Sequence, residues 1–192
     1  MKGENMLQNT GNITESIESR LLLKQAATDK EIESAMKLRF EVFNLELNEG
    51  LQSSYLTGID TDQYDKFSDH IIVIDTAKDM VVGTYRLLTG SKAEKGMGFY
   101  SETEFEMSSF KKLDGEKLEL GRACVHRDYR GSAVLNLMWA GIGRYIERYN
   151  ISYLFGCGSI HNINPYIVSS VYSFFWKNYM ADVRFKVTPL KK

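Results

Sequence analysis

The stretch KLELGRACV, from Lys117 to Val125, decides the fold, because it has the apolar residues of a buried β-strand yet also carries Glu119 and Arg122. A charge is not tolerated in a buried strand unless it is paired. In a regular strand, residues three apart point to opposite faces, whereas a bulge near Gly121 would bring both charges to one side. Since bulges often lie beside active sites, we predict a bulged strand at a polar site; a solvent-facing Glu119 is the alternative.

The segments on either side of this strand predict an α/β (α+β) fold, with a mixed sheet covered by helices on both faces. β-branched runs indicate strands, and apolar residues at helical spacing indicate helices. Before the strand we predict a strand from Leu21 to Thr28, a helix from Asp29 to Glu46, an acidic loop from Leu51 to Asp69, the hairpin strands HIIVID and VVGTYRLL, and a mixed insertion from Gly90 to Glu116. After it we predict a helix from Ser132 to Tyr149, the strand ISYLFGCGSI, a helix from Pro165 to about Tyr179, and a last strand VRFKVTPL.

The composition limits the class of protein. With 192 residues, 43% hydrophobic and 26% charged, the chain suits one domain over residues 21–192, preceded by a flexible polar arm over residues 1–20. The formal net charge of −1 excludes a globally basic nucleic-acid binder. The two cysteines lack metal-ligand spacing, and no apolar run suits a membrane span or a signal peptide. We therefore expect a cytoplasmic protein without a metal ion.

Five ionisable residues recur at the edges of the predicted elements. Asp62 and Asp65 lie in the acidic loop, Arg86 in the third strand, and Glu119 with Arg122 in the fourth. Because a buried charge needs a partner, we expect these side chains to meet. Such a cluster is either an active site or a buried ion network without chemistry, since both perturb pKa values. Residue types alone leave both alternatives open.

Three other features each have two interpretations. Cys124 and Cys157 are predicted to be small buried residues, because no base for a cysteine nucleophile is evident. His70 is predicted to be a structural hydrogen-bonding residue, with a proton relay as the alternative. The aromatic segment VYSFFWKNYM, residues 171–180, would either line a tunnel for an acyl chain or fill a core.

Four motifs follow one another along the chain: RFEVFNLE (residues 39–46), DTDQYD (60–65), VVGTYRLL (81–88) and LELGRACVHRDYRG (118–131). In this order they resemble the acyl-carrier-protein-dependent branch of the GNAT superfamily. That branch includes the ornithine-lipid N-acyltransferases, sometimes labelled hemolysin-like, and the long-chain N-acyl amino acid synthases, with the acyl-homoserine-lactone synthases as more distant relatives. The resemblance covers roughly residues 21–160. It implies a mostly antiparallel central sheet that is splayed between its fourth and fifth strands.

The lactone synthases can be compared with this sequence position by position. Their Arg-x-x-x-Phe motif matches Arg39 and Phe43, their Asp-x-x-Asp matches Asp62 and Asp65, their Arg before a Leu-Leu pair matches Arg86, and their Glu-x-x-Arg matches Glu119 and Arg122. The resemblance implies substrate-binding roles for Arg39, Phe43, Asp62 and Asp65. The tryptophan of those enzymes is missing, because Leu47-Asn48-Glu49-Gly50 stands in its place. This departure favours the amino-acid N-acyltransferases over a lactone synthase.

A second departure from the family's pattern concerns the acyl donor. Coenzyme-A-dependent GNAT enzymes hold a pyrophosphate at a glycine-rich turn before a helix, and the matching residues 130–135 have Ala133 and Leu135 where small glycines would be. The resemblance therefore implies the acyl-phosphopantetheine of acyl-carrier protein as donor, with no bound cofactor. The acidic carrier would dock on basic residues on and beside this helix, with a solvated helix face as the alternative. These residues are Arg127, Arg130, Arg144 and Arg148.

The resemblance also implies the reaction. A long-chain fatty acyl group would pass from the carrier thioester to the α-amine of an amino acid of the ornithine or tyrosine type, without a covalent acyl-enzyme. Because the amine is mostly ammonium at neutral pH, a base must take its proton, and Glu119 is the candidate. Arg86 and Arg122, with the two aspartates, would hold the base and the amino acid. Backbone N–H groups would stabilise the oxyanion, at Ala123, Cys124 and Val125.

Other functions compatible with the sequence are an acyl-homoserine-lactone synthase, an acetyl-CoA-dependent N-acetyltransferase and a non-catalytic lipid- or carrier-binding protein. An amphiphilic product would also bring the enzyme into peripheral contact with a membrane.

Overall fold

The structure, a computed structural model, describes residues 19–160 and 162–191. Its strands are β1 (Leu21–Gln25), β2 (Asp69–Asp75), β3 (Met80–Thr89), β4 (Phe105–Glu106), β5 (Glu116–Val125), β6 (Ile151–Phe155) and β7 (Thr188–Pro189). Its α-helices are α1 (Asp29–Arg39), α2 (Gly90–Ala93), α3 (Ser108–Lys111), α4 (Ser132–Tyr149) and α5 (Pro165–Tyr179). The chain continues from α1 as a π-helix over Phe40–Glu46. The predicted arm, residues 1–20, lies outside the described residues except for Ser19 and Arg20.

The central sheet has five strands in the order β1-β2-β3-β5-β6. The first three pairings are antiparallel, and only β5 and β6 run parallel. Parallel neighbours need a crossover connection, and α4 supplies it between β5 and β6. The predicted mixed, mostly antiparallel sheet is therefore confirmed.

One helix covers each face of this sheet, because successive residues of a strand point to opposite faces. On one side, Ile72 of β2 is buried against Ala35 and Leu38 of α1. On the other side, the neighbouring Ile71 is buried in a cluster with Ile142 of α4. The hydrophobic core thus lies in two layers, as the sequence predicts.

The predicted bulge lies in β5, next to Gly121. Arg86 of β3 pairs with Gly121, and Thr84, two residues earlier, pairs with Cys124, three residues later, so β5 carries one extra residue. Arg122, inside the bulge, has a left-handed backbone with φ of 46°. The bulge is therefore confirmed, although the strained backbone belongs to Arg122 rather than to the glycine. The extra residue reverses the alternation of side chains beyond it.

The predicted splay is also present between the fourth and fifth strands of the central sheet, β5 and β6. Their pairing ends at Glu119 and Phe155, which leaves the second half of β5 without a neighbour on that side. Directly after the last pair, a Cβ on Gly156 would lie 2.4 Å from the carbonyl oxygen of Leu120. Only glycine fits this close approach of two backbones.

Two predictions at the C-terminal side are wrong. The strand expected over residues 151–160 ends at Phe155 because β6 leaves the sheet there, and Cys157, beyond its end, is exposed rather than buried. The last predicted strand, VRFKVTPL, contributes only β7, which pairs with β4 in a separate two-stranded sheet. Its first residues form a 3₁₀ turn over Val183–Phe185 instead. Local β-propensity does not specify which partner a strand finds.

Candidate active site

A cleft of about 450 Å³ opens where β5 and β6 separate, and we call it the splay cleft. A second depression of about 430 Å³, lined by residues between Gly90 and Lys117, holds none of the predicted site residues. The lining of the splay cleft includes five of them: Phe43, Arg86, Glu119, Arg122 and Ala123. The splay cleft is therefore the candidate active site.

Beneath the cleft, the guanidinium of Arg39 is completely buried between two aspartates. Its Nε donates to Asp60 Oδ1 at 2.8 Å, and its Nη1 and Nη2 donate to the two oxygens of Asp65 at 2.7 and 3.1 Å. This bidentate geometry is the strong form of an arginine–carboxylate contact. It fixes the acidic loop against the end of α1.

Arg86 and Arg122 reach the same loop from the sheet. Arg86 Nη1 donates to Asp62 Oδ1 at 2.7 Å and to Asp65 Oδ1 at 3.3 Å. Arg122 Nε lies 3.4 Å from Asp60 Oδ1, and the guanidinium of Arg122 stacks 5.4 Å from the ring centre of Phe43. The three arginines and the three aspartates form one arginine–aspartate network, made of Arg39, Asp60, Asp62, Asp65, Arg86 and Arg122.

Asp65 shows the electrostatic consequence of this network. Burial acts to raise the pKa of its carboxyl, but the hydrogen bonds from Arg39 and the positive charges of Arg39 and Arg86 outweigh burial and lower the pKa to about 2. Asp65 therefore remains a carboxylate at neutral pH. A permanently charged acceptor can hold two arginines in place, whereas it is a poor proton shuttle.

Glu119 is also buried and lines the splay cleft, but its carboxylate binds a different partner. Its Oε2 accepts from the N–H of Tyr100 at 2.8 Å, and its Oε1 accepts from Ser101 N at 2.7 Å and Ser101 Oγ at 2.5 Å. The expectation that all five ionisable residues meet is therefore correct for four of them. Glu119 instead anchors the 3₁₀ turn that begins at Tyr100, and this turn forms a wall of the cleft.

Several predicted substrate-binding residues lie outside the cleft lining. Arg39 and Asp65 are in the network beneath it, and Asp62, with 15% of its side chain exposed, contacts the lining residue Arg86. The side chain of Cys124 is packed against α1, and burial raises the pKa of its thiol to about 12. Cys124 is therefore a protonated core residue at neutral pH, and Val125, next to it, packs against the α4 side of the sheet.

The four predicted docking arginines form two separate pairs. Arg127 and Arg130 lie between β5 and α4, close to the splayed end of β5. Arg144 and Arg148 lie in the last turns of α4, an 18-residue helix that is about 27 Å long. Arg130 is held by both oxygens of Glu46, with Nη2 2.7 Å from Oε2. One continuous basic surface is therefore not present among the four.

An apolar cavity of about 230 Å³ adjoins the splay cleft, and Cys157 lines both. Its walls include Phe105, Phe110, Phe155 and Phe185. The aromatic segment expected either to line a tunnel or to fill a core, residues 171–180, lies in and just after α5, where no described residue is buried, and it contributes nothing to the lining of this cavity. These four phenylalanines come from β4, α3, the end of β6 and the 3₁₀ turn over Val183–Phe185, short elements whose apolar residues have no distinctive period.

The sequence interpretation missed three residues of this site. Asp60 is the first acid of DTDQYD and contacts two arginines, but an acidic loop gives no signal of which acid points inward. Ser101 binds Glu119 from an insertion without a regular period. Glu49 lines the cleft, and its only signal is its place at the position where the expected tryptophan is missing.

Two structural findings concern metals and membranes. Within residues 19–160 and 162–191, no group of three or more His, Cys, Asp or Glu side chains is arranged to hold a metal ion. In the same described part of the chain, no helix combines the length and the apolar content needed to cross a bilayer.

Comparison with known proteins gives the family and the fold. Residues 38–140 match the family described as acetyltransferase (GNAT) domain. An L-ornithine N(alpha)-acyltransferase of Brucella abortus is 38% identical over 160 residues, which are 78% of this chain and 55% of that protein. One from Rhodobacter capsulatus is 33% identical over 72% of this chain and 56% of its own length. The chain thus spans about half the length of these curated relatives.

Two solved structures share the fold. The acyl-homoserine-lactone (AHL) synthase LasI has a TM-score of 0.51 and 19% identity, and the match covers 71% of each chain. FeeM, an N-acyl amino acid synthase from uncultured soil microbes, has a TM-score of 0.53 and 12% identity, over 79% of this chain and 76% of its own. At these identities the likeness is evidence for the fold alone.

His70 provides a test of the electrostatics beneath the cleft. Its ring is buried 3.9 Å from Asp65, and neither ring nitrogen has a hydrogen-bond partner among the described residues, so the predicted structural hydrogen bond is not made. Burial first, and the charges of Arg39 and Arg86 next, lower the pKa of His70 to about 4, while Asp65 and Asp69 oppose them. The folded state therefore excludes a proton that the unfolded chain binds below about pH 6.5.

We accordingly expect the free energy of unfolding to fall by about 2 kcal/mol between pH 7.5 and pH 5 through this residue alone. The stabilisation is complete above pH 6.5 and is lost as the pH falls towards 4. Urea unfolding at both pH values, on the natural chain and on His70→Asn, measures it. The variant should lose less stability on acidification, and parallel pH profiles for the two proteins would contradict the assignment.

Proposed function

The chain belongs to the acetyltransferase (GNAT) domain family, and on that basis we propose that it transfers a long-chain fatty acyl group from acyl-carrier protein to the α-amine of an amino acid of the ornithine type. The observation that carries the proposal is the splay cleft, where arginines for a carboxylate and a buried glutamate lie beside an apolar cavity. The similarity to L-ornithine N(alpha)-acyltransferases supports the choice of acceptor.

The acceptor's carboxylate would bind at Arg122. The guanidinium of Arg122 lines the cleft and is partly exposed, whereas Arg86 is 95% buried and engaged by Asp62 and Asp65. Asp60 Oδ1 lies 3.4 Å from Arg122 Nε, close enough to attract its positive charge. Arginine forks match a carboxylate bidentately. In this arrangement Arg39 and Asp65 position the arginines without touching the substrate.

Glu119 is the proposed general base. The α-amine binds as ammonium, and the carboxylate of Glu119 takes its proton directly or through one water. The amine lone pair then attacks the thioester carbonyl, and the tetrahedral intermediate expels the phosphopantetheine thiolate. The second proton of the nitrogen passes through water to this thiolate, which leaves as the thiol, and protonated Glu119 returns its proton to solvent. The hydrogen bonds from Tyr100 and Ser101 hold the carboxylate in one orientation at the cleft wall. No acyl-enzyme forms.

The splayed half of β5 would stabilise the oxyanion. Beyond Glu119, β5 has no neighbour on the β6 side, so N–H groups on that edge are available to a ligand. Donors fixed before the reaction cost no reorganisation as charge develops on the carbonyl oxygen. The predicted residues Ala123, Cys124 and Val125 lie on this stretch, and Ala123 is exposed in the cleft.

The apolar cavity would receive the acyl chain. Phenylalanine side chains line it, and it meets the splay cleft at Cys157. A thioester carbonyl at this junction places the fatty chain among apolar side chains and the acceptor among charged ones. Burial of the chain contributes roughly 0.8 kcal/mol per methylene.

The carrier would dock at the Arg127 and Arg130 end of α4. This end lies beside the open edge of β5, through which a phosphopantetheine arm has to enter. In the first turn of α4, Leu135 is 46% exposed where a coenzyme A enzyme has a small residue, which supports a donor without a pyrophosphate. Arg144 and Arg148, at the opposite end, are left out of the docking proposal.

Assays with different combinations of acyl donor and acceptor test the function. We expect product with acyl-carrier protein bearing a long acyl chain and ornithine, and at least tenfold lower kcat/KM with acetyl-CoA. Mass spectrometry of the product distinguishes an N-acyl amino acid from an N-acyl homoserine lactone formed with S-adenosylmethionine. Product from acetyl-CoA but none from the acyl carrier would contradict the proposed donor, and no product with any donor would favour a binding protein.

Replacement of the base is the second test. Glu119→Gln should lower kcat at least about a hundredfold, as loss of a general base does. Glu116→Gln is the matched control, because Glu116 lies on the same strand outside the cleft and accepts from Ser91 N. Thermal unfolding checks that both variants fold. A near-normal kcat in a folded Glu119→Gln protein would remove Glu119 from the mechanism.

Charge reversal tests the docking site. Arg127→Glu should raise the KM for the acyl carrier about two- to fivefold at low salt, the size of an exposed ion pair, and should flatten the salt dependence. Arg148→Glu, in the last turn of α4 at its opposite end, serves as the control. Equal effects of the two reversals would argue against docking at the Arg127 end.

A further inference from the structure

We propose that α5 lies on the surface of a membrane that contains anionic lipid, with the aromatic rings of one side of the helix in the headgroup layer. These rings form the aromatic face, which consists of Tyr172, Phe175, Trp176 and Tyr179. The membrane contact is separate from the proposed acyl transfer, because it concerns where the protein acts rather than what it transfers. The exposure of the rings, the charge of the surrounding segment and the position of the apolar cavity support it.

The aromatic face is a continuous exposed surface. Its residues have the spacing i, i+3, i+4 and i+7, which places them on one side of the helix. Their rings pack in pairs, with centroids 5.8 Å apart for Tyr172 and Trp176 and 5.9 Å apart for Phe175 and Tyr179. Between 51% and 67% of each residue is exposed, and no residue of α5 is buried. A contiguous exposed patch of large apolar side chains marks an interaction site.

The opposite side of α5 is polar and carries Ser170, Ser173 and Lys177. A helix with aromatic residues on one side and a basic polar side is typical of helices that lie in the membrane interface. Tyrosine and tryptophan are enriched in that layer, because an apolar ring with a polar O–H or N–H suits a boundary between lipid and water. The side chains of α5 therefore favour a lipid surface as the partner.

The charge of the segment that contains α5 favours anionic lipid. Residues 162–191 have four basic residues and one acid, although the whole chain has a formal net charge of −1. The acid, Asp182, lies 3.0 Å from Arg184. Anionic headgroups attract such a basic segment. A symmetric dimer through this surface would instead bring the same basic residues of two copies together. The four basic residues, all exposed, are Lys177, Arg184, Lys186 and Lys191.

The stretch that follows α5 connects this surface to the apolar cavity. Phe185 and Val187 line the cavity and are half-buried, whereas Arg184 and Lys186, which alternate with them, are exposed. One side of the stretch therefore forms the cavity wall, and the other presents basic groups to the outside. With α5 on a bilayer, a fatty chain in the cavity has lipid beside it, whereas release into water exposes every methylene.

Flotation of the purified full chain with lipid vesicles tests the contact. We expect binding to vesicles of phosphatidylglycerol and phosphatidylcholine that is at least about tenfold tighter than binding to vesicles of phosphatidylcholine alone. Lys177→Gln and Lys186→Gln should each weaken binding to the anionic vesicles about fivefold, the contribution of one basic residue near such a surface. Equal binding to both kinds of vesicle, unchanged in these variants, would overturn the proposal.

Replacement of tryptophan tests the aromatic face itself. Trp176→Ser should weaken vesicle binding roughly tenfold, because the ring no longer leaves water. Trp139→Ser is the matched control, since Trp139 on α4 is 47% exposed, close to the 51% of Trp176, and its loss should leave binding unchanged. Trp176 is the single tryptophan of that control, so a blue shift of its emission on vesicles reports that this ring enters the interface. Thermal unfolding checks that both variants fold.

The absence of vesicle binding, or equal losses in the two tryptophan variants, would overturn the membrane contact. Sedimentation velocity and assays without lipid identify other partners of the aromatic face. A dimer that Trp176→Ser dissociates would assign the face to a second copy, and a raised KM for the acyl carrier without lipid would assign it to the carrier; either result would overturn the proposal. Vesicle binding without acyl transfer would retain the membrane contact and overturn the proposed function.

Discussion

The buried guanidinium of Arg39 is the constraint on which the site depends. A guanidinium without water is costly unless its donors are satisfied, and here Asp60 and Asp65 satisfy them from the loop that precedes β2. The same two carboxylates also reach Arg86 and Arg122. Removal of Arg39 would leave uncompensated buried charges, at a cost of about 3–5 kcal/mol. The loop, the helix and the sheet are therefore fixed to one another directly beneath the cleft.

The bulge in β5 depends on this arrangement. A left-handed backbone costs a residue with a side chain roughly 1–2 kcal/mol, and Arg122 adopts it. The contacts that Arg122 makes with Asp60 and with the ring of Phe43 offset that strain. Because of the bulge, the side chain of Arg122 lies on the same side of the sheet as that of Glu119. Strain of this kind is found where the surrounding structure determines one conformation and function needs it.

The parts of the fold that the sequence predicts well are those set by neighbours along the chain. The helix over Ser132–Tyr149 has the predicted bounds because its apolar residues repeat with the helical period, and Asn164 caps the helix that begins at Pro165 as predicted. The bulge could be inferred because a parity conflict between Glu119 and Arg122 is visible in nine residues. The end of β6 could not be inferred, because the strand ends where it separates from β5, and the sequence of β6 alone does not show that point.

The candidate site, like the fold, has a part that the sequence predicts and a part that it does not. The sequence predicts that arginines and aspartates meet in the arginine–aspartate network, since buried strands do not carry unpaired arginines. Their pairing could not be predicted, because Asp60, Asp62 and Asp65 are equivalent as acids and only the folded loop distinguishes them. Glu119 was expected to join the network but binds Ser101, 18 positions away, in an insertion whose path no periodicity predicts.

On the proposed function, the wall formed by Tyr100 and Ser101 lies between the binding places of two unlike substrates. Ser101 donates to Glu119 in the splay cleft and accepts from Cys157, and it also lines the apolar cavity. The charged compartment and the apolar compartment therefore meet at one short stretch of chain. On the proposed function, a charged amino acid and a fatty thioester must meet at a single carbonyl carbon. A base held by the partition between the two compartments is within reach of that carbon, whereas a base deep in either compartment would be separated from it.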